Sequence, residues 1–115
     1  MDINTDWQAA FQAEQTARAA SDAFHAEHVA PINAANDAGT ATLEQVSEQE
    51  QAWAAFTDAH ADTIAALLLT PAPTLQAVAH KLRLGCQDWF FDGSDQSTAA
   101  LEVIAADVER LSGEA

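Results

Sequence analysis

Basic side chains are scarce in this chain of 115 residues, which contains four Lys and Arg against eighteen Asp and Glu and carries a formal charge of −14. A surface this negative repels nucleic acid and anionic lipid headgroups. The sequence therefore predicts no direct binding to nucleic acid and no membrane association. It favours a basic protein surface as the partner.

Cysteine and long apolar runs are also scarce. The single Cys86 has no second cysteine with which to form an internal disulfide or a cysteine-based zinc site. The longest strongly apolar run covers only residues 64–69, and no basic region precedes an apolar stretch at the N-terminus. These features predict neither a signal peptide nor a membrane span, and they favour a cytoplasmic location.

Motifs for catalysis and cofactor binding are missing as well. The chain has no Gly-x-Ser-x-Gly motif and no phosphate-binding glycine loop, because its four Gly lie scattered at positions 39, 85, 93 and 113. The sequence thus predicts a protein that is not an enzyme and that binds no cofactor.

Three histidines are candidate metal ligands. His25 and His28 share one helical face and His60 lies on the next predicted helix, but no Glu-x-x-His motif supports a carboxylate-bridged site. The interpretation as ordinary polar histidines is favoured, so no metal site is predicted. Whether the three side chains converge is left open by the sequence.

The composition favours helices. Tyr is absent, Gly and Pro are few, and half of the hydrophobic residues are Ala, which has the highest helix propensity. At this length we expect one domain over residues 1–115. The predicted fold class is all-α and four-helix bundle-like, with one long and one short antiparallel helix pair joined by a Pro corner.

Capping and breaking signals set the predicted helix bounds at about 5–30, 42–69, 74–92 and 95–112. Pro31 is expected to end the first helix, and residues 31–39 to connect it to the second. The remaining signals are N-caps at Thr5, Thr74 and Ser94, a capping box at Thr42 to Gln45, the corner Thr70-Pro71-Ala72-Pro73, and Asp92-Gly93-Ser94 closing the third helix.

Apolar residues spaced by three and four predict which helix faces are buried. The second helix carries such a stripe from Leu43 through Trp53 to Ile64 and Leu67. The corresponding predicted stripes are Leu75, Val78, Leu82 and Trp89 on the third helix, and Leu101, Ile104, Val108 and Leu111 on the fourth.

Acidic residues form a line on the second helix, opposite its apolar stripe. They are Glu44, Glu48, Asp58 and Asp62, and they include two like-charge pairs at i,i+4, each of which costs about 0.2–0.5 kcal/mol in an isolated helix. The five acids of this predicted helix give about one charge per 8 Å, far sparser than duplex DNA, so imitation of DNA would require acids from several helices on one side of the molecule. We interpret the line as a candidate partner-binding face.

A second candidate site surrounds the turn between the third and fourth helices. Asp88, Asp92 and Asp95 cluster there, beside the aromatic run Trp89-Phe90-Phe91. Three consecutive aromatic rings near a helix end cannot all enter one core, so at least one is expected at the surface. The run either caps the core or supplies an aromatic anchor for a partner.

The segment LLLTPAPTLQAVAHKLRL, residues 67–84, resembles a segment of small uncharacterised proteins from alphaproteobacteria and their prophages. The residues that carry this resemblance are Thr70, Pro71, Ala72, Pro73, Leu75, Lys81 and Leu82. His80 and Arg83 depart from the pattern, where an apolar and an acidic residue are expected. The resemblance implies a bacterial or phage origin, hence the cytoplasm of a bacterial cell, and it implies no activity.

Two functional hypotheses follow. The first is a phage- or prophage-encoded, non-enzymatic inhibitor whose acidic helical face occludes a basic nucleic-acid-binding surface of a host defence complex, of the anti-CRISPR or anti-restriction type. The alternative is a structural or assembly protein that forms a homodimer through its apolar stripes, its acidity serving only solubility.

Overall fold

The computed structural model describes residues 2–113, and every regular element within that range is helical. The predicted all-α, helical bundle-like fold class is thereby confirmed. The elements are α1 (Ile3–Phe24), a π-helical turn (His25–Val29), α2 (Ala30–Asp37), α3 (Leu43–Leu69), α4 (Leu75–Gln87) and α5 (Asp95–Gly113).

The first helix begins earlier than predicted, and Asp2 provides the interactions expected of Thr5. One carboxylate oxygen of Asp2 accepts a hydrogen bond from the Asn4 N–H (3.0 Å), and the other accepts one from the Thr5 hydroxyl (2.9 Å). A carboxylate at this position also interacts favourably with the positive end of the helix dipole. Thr5 therefore lies inside the helix rather than at its start.

The predicted end of the first helix at residue 30 is wrong, because the helical path continues through Pro31 to Asp37. Proline lacks an N–H, and in an α-helix its ring collides with the carbonyl four residues earlier. Here the turn preceding it is π-helical, and the Ala30 N–H bonds to the His25 carbonyl five residues back. This wider turn accommodates Pro31 in the first turn of α2.

The other predicted N-terminal caps are confirmed. In the capping box, the Thr42 N–H donates to Gln45 Oε1 (2.8 Å) and the Gln45 N–H donates to Thr42 Oγ1 (3.2 Å). The remaining two are Thr74, which accepts from the Ala77 N–H (3.1 Å), and Ser94, which accepts from the Ser97 N–H (3.1 Å).

The third predicted helix ends at Gln87 rather than near residue 92. The Phe90 N–H bonds to the Gly85 carbonyl (2.8 Å) and the Trp89 N–H to the Cys86 carbonyl (3.4 Å), which is the Schellman pattern of a helix C-terminus. The chain then turns back so that the Phe91 ring covers Gly85. A signal based on Gly93 could not reveal this earlier end.

The contacts divide the chain into two compact units. We call residues 15–62 the hairpin unit, and the described residues 2–14 and 63–113 the core unit. Helices α1 and α3 each contribute residues to both units.

The core unit contains a continuous hydrophobic cluster. It draws on the start of α1, the end of α3, the Pro corner, α4 and α5, and the partly buried Phe11, Phe90 and Phe91 pack against it. Its buried members are Trp7, Ile64, Leu67, Leu68, Ala72, Ala77, Val78, Leu84, Ala100 and Ile104.

The buried faces of α4 and α5 differ from the predicted stripes by about one residue. On α4 the predicted Leu75 and Leu82 are 64% and 41% exposed, and on α5 Leu101 and Val108 are 43% and 42% exposed. The faces that are buried instead contain Ala77, Val78, Lys81, Leu84 and Gly85 on α4, and Ser97, Ala100, Ile104 and Asp107 on α5.

The hairpin unit is thin and has little interior. Only Ser21 and Val29 are buried among its residues. The Trp53 indole N–H on α3 donates to the Ser21 carbonyl and hydroxyl on α1, each at 3.1 Å. The predicted α3 stripe is not buried at its start, where Leu43 is 77% exposed. A pair of helices has no third layer to cover its outer surfaces, which accounts for this exposure.

Candidate functional surfaces

A buried ion pair crosses the core unit, and the apolar patterns did not reveal it. Lys81 Nζ lies 2.6 Å from Asp107 Oδ2, and the two side chains are 0% and 1% exposed. The other oxygen of Asp107 accepts the Ala72 N–H (3.0 Å) and lies 3.3 Å from Arg110 Nη1. Arg110 also donates to the Ala72 carbonyl. The network fixes the Pro corner between α4 and α5.

Burial makes the charged form of Lys81 energetically unfavourable. Burial lowers the pKa of its ammonium group, an effect opposed by the hydrogen bond and the charge of Asp107. The ammonium also lies 5.9 Å from the centroid of the Trp7 ring. Because these groups bond to one another inside the core, we assign the network a structural role. The signal that could have found it is the spacing of Lys81 from Ala77 and Leu84 on one helical stripe.

The acidic line on α3 lies entirely within the hairpin unit. Glu44, Glu48, Asp58 and Asp62 are all exposed. Residues 15–62 contain eight Asp and Glu and only one basic residue, Arg18. The unit therefore combines strong negative charge with a thin body. We call these four carboxylates the α3 acidic face.

Aromatic and histidine rings line one region of the hairpin unit. Phe24 stacks on Phe56 with ring centroids 4.8 Å apart, and His25 lies 4.7 Å from Trp53. His28 packs on Phe24 at 4.6 Å. Within residues 2–113 no group of three or more His, Cys, Asp and Glu side chains is arranged to hold a metal ion. The contacts of His25 and His28 with aromatic rings account for the positions of these two side chains.

The turn between α4 and α5 separates the three aromatic residues that the sequence groups together. Phe90 and Phe91 pack against the core, with their ring centroids 6.1 Å apart in a T-shaped arrangement. Trp89 is 88% exposed. The aromatic run therefore contributes both to the core and to the surface.

The carboxylates at this turn are not equivalent. Asp92 and Asp95 are exposed, whereas Asp88 is half-buried. Hydrogen bonds from the Ser94 side chain and backbone lower the pKa of the Asp92 carboxyl, and the Ser94 N–H lies 3.0 Å from Asp92 Oδ1. These bonds favour the charged form of Asp92.

The core unit also contains a pocket of about 350 Å³ without charged lining residues. His80 borders it and packs on Phe11 and Trp7, with ring centroids 5.1 and 6.2 Å away. Its Nε2 atom is buried without a hydrogen-bond partner in the described structure. The lining is completed by Asn4, Gln8, Pro73, Thr74, Gln76 and Ala77. The lining therefore mixes uncharged polar side chains with apolar ones.

Compared with known proteins, the chain matches no family model, no curated protein and no solved structure. Among residues 2–113, no helix has both the length and the apolar character that crossing a bilayer requires.

Proposed function

We propose that this chain is a non-enzymatic binding protein whose α3 acidic face covers a basic, nucleic-acid-binding surface of another protein. One observation carries the proposal: the hairpin unit presents eight acidic residues with a single basic one on a thin body. Carboxylates arranged this way attract Lys- and Arg-rich surfaces and compete with phosphate for them.

The incomplete burial of aromatic rings in the hairpin unit also favours binding to a partner protein. Its rings at Phe24, Trp53 and Phe56 are only partly covered, and Phe56 is 37% exposed. The exposed parts of these rings are apolar surface that a partner can bury at the centre of an interface.

A basic partner suits this surface better than a second copy of the chain. Pairing two hairpin units would bring sixteen acidic side chains together with two arginines, and like charges at an interface cost free energy. The homodimer alternative draws on the exposed Leu43. It predicts a concentration-dependent sedimentation coefficient, whereas a basic partner predicts a monomer.

We further propose that the partner belongs to a bacterial defence complex and that the chain is a phage or prophage inhibitor acting in the bacterial cytoplasm. Such complexes hold nucleic acid in positively charged channels, recognised through its backbone. A small acidic protein that occupies a channel of this kind blocks it without any chemical step.

The experiment measures binding of labelled DNA by purified guide-loaded CRISPR effectors and restriction endonucleases, with and without this protein. One variant removes the α3 acidic face through Glu44→Gln, Glu48→Gln, Asp58→Asn and Asp62→Asn. The matched control removes the same charge elsewhere through Asp2→Asn, Asp6→Asn, Glu102→Gln and Glu109→Gln.

We expect the native protein and the control to displace DNA from at least one effector, and the α3 variant to lose that inhibition. Inhibition is expected to weaken as salt is raised. Equal loss in both variants would show that net charge alone acts, and unimpaired DNA binding throughout the panel would contradict the inhibitor hypothesis.

A further inference from the structure

Trp89 combines two uncommon features. Its side chain is 88% exposed, more than any other large hydrophobic residue in the described part of the chain. Its φ is +57°, and within residues 2–113 no other residue except glycine has a positive φ. A bulky residue in the left-handed region is an uncommon and costly choice.

The turn requires a left-handed backbone conformation at residue 89, but it does not require an indole side chain there. Trp89 occupies the left-handed position of the Schellman motif that ends α4, where glycine is the usual residue because it has no Cβ. Glycine would make the same turn with the same hydrogen bonds and less strain.

The core does not use the Trp89 ring either. Phe90 and Phe91 supply the packing at this end of the core unit. A Cβ on Gly85 would lie 2.3 Å from Phe91 Cε2, which shows how closely that ring fits. The chain thus keeps an exposed indole at a position that destabilises the fold, and such strain is typical of a binding residue.

The neighbouring charges indicate what the indole binds. Asp92 and Asp95 are exposed and follow Trp89 by three and six residues in sequence, and the Ser94 N–H donates to Asp92 Oδ1 (3.0 Å). An aromatic face attracts a guanidinium group through its π electrons, and a carboxylate pairs with the same group in a bidentate manner. A second copy of the chain would instead bring two sets of carboxylates together.

We propose that Trp89, together with Asp92 and Asp95, is a binding site for an exposed arginine of a basic partner protein. The inference rests on the proposed function for the nature of the partner, but the site itself belongs to the core unit and not to the α3 acidic face. Arginine is favoured over lysine because its planar guanidinium can stack on the ring and donate two parallel hydrogen bonds to a carboxylate.

The test uses the full chain and a blocked peptide of alternating Gly and Arg, with the Gly-Lys peptide as its control. NMR follows the indole N–H signals of the three tryptophans during titration. We expect the Trp89 signal to shift with the Arg peptide and the affinity for it to exceed that for the Lys peptide. Trp89→Gly is expected to lower the Arg-peptide affinity about two- to fivefold, the range of an exposed cation–π contact.

Thermal unfolding supplies the second measurement. Trp89→Gly should leave the melting temperature unchanged or raise it, since glycine relieves the left-handed strain. A lower melting temperature would show that the indole supports the fold and would overturn the inference. Equal affinity of the native protein and Trp89→Gly for the Arg peptide would overturn it as well.

A third variant separates this site from the proposed function. The Glu44→Gln, Glu48→Gln, Asp58→Asn and Asp62→Asn protein should retain the Trp89 shift with the Arg peptide. Loss of that shift would show that only summed charge recruits the peptide and would contradict the site. Retention alongside failure to inhibit any effector would refute the proposed function alone.

Discussion

The core unit and the hairpin unit carry similar shares of the negative charge but place their side chains differently. The core unit buries ten apolar side chains in one cluster and encloses an ion pair. The hairpin unit buries only Ser21 and Val29, and its helices meet through a few rings and the Trp53 hydrogen bonds. The first arrangement buries apolar area, whereas the second leaves most of its side chains at the surface.

This difference indicates that the two units contribute unequally to the stability of the chain. Buried apolar area dominates folding free energy, so the core unit is expected to hold most of the stability of the chain. A region with few buried contacts opens more easily and tolerates surface substitutions. Acidic residues can therefore accumulate on the hairpin unit at little cost.

The largest expected effect comes from breaking the buried ion pair of the core unit. Asp107→Ala leaves the Lys81 ammonium without its partner and the Ala72 N–H without its acceptor, which should cost about 3–5 kcal/mol of unfolding free energy. Urea unfolding followed by circular dichroism measures the change.

Two further variants make that test specific. Glu109→Ala, an exposed change on the same helix, should alter stability by about 0.5 kcal/mol or less. The double variant Lys81→Met with Asp107→Asn should lose much less unfolding free energy than Asp107→Ala. It leaves no lone buried ammonium group, and the new amide oxygen still accepts from the Ala72 N–H. A small effect of Asp107→Ala would refute the role assigned to the network.

An intermediate effect is expected from overfilling the contact between Gly85 and Phe91. In Gly85→Ala the new Cβ would lie 2.3 Å from the Phe91 ring, so the ring must move. We expect a loss of about 1–3 kcal/mol by thermal denaturation, despite the better helix propensity of Ala. Gly113→Ala is the matched control, since its Cβ meets nothing within 4 Å. Equal effects of the two substitutions would contradict close packing at Gly85.

The smallest expected effect lies in the hairpin unit. Trp53→Phe removes the indole N–H that bonds to Ser21, at a cost of about 0.5–1.5 kcal/mol. Hydrogen exchange should show faster opening of residues 15–62 and little change in residues 63–113. Leu43→Ala, at a side chain 77% exposed, should change neither region. Uniformly faster exchange along the whole chain would show that the two units unfold together.

Several elements were predictable because their signals are local. The capping box at Thr42 and Gln45 and the caps at Thr74 and Ser94 depend on side chains that bond within three residues. The continuation of the first helix was not predictable, since Pro31 is accommodated by a π-helical turn before it. The expectation that at least one ring of the aromatic run lies at the surface is confirmed, but only the structure identifies Trp89 as that ring.

The sequence by itself determined the helical class and the excess of negative charge, because propensity, capping and ionisation depend on each residue and its near neighbours. Tertiary structure decided which face of each helix is buried. Lys81 and Asp107 occupy the core faces of α4 and α5 because each neutralises the other across a distance in sequence of 26 residues. Within a single helix, a charged residue is expected at the surface. Its burial becomes favourable only where a second helix supplies an oppositely charged partner.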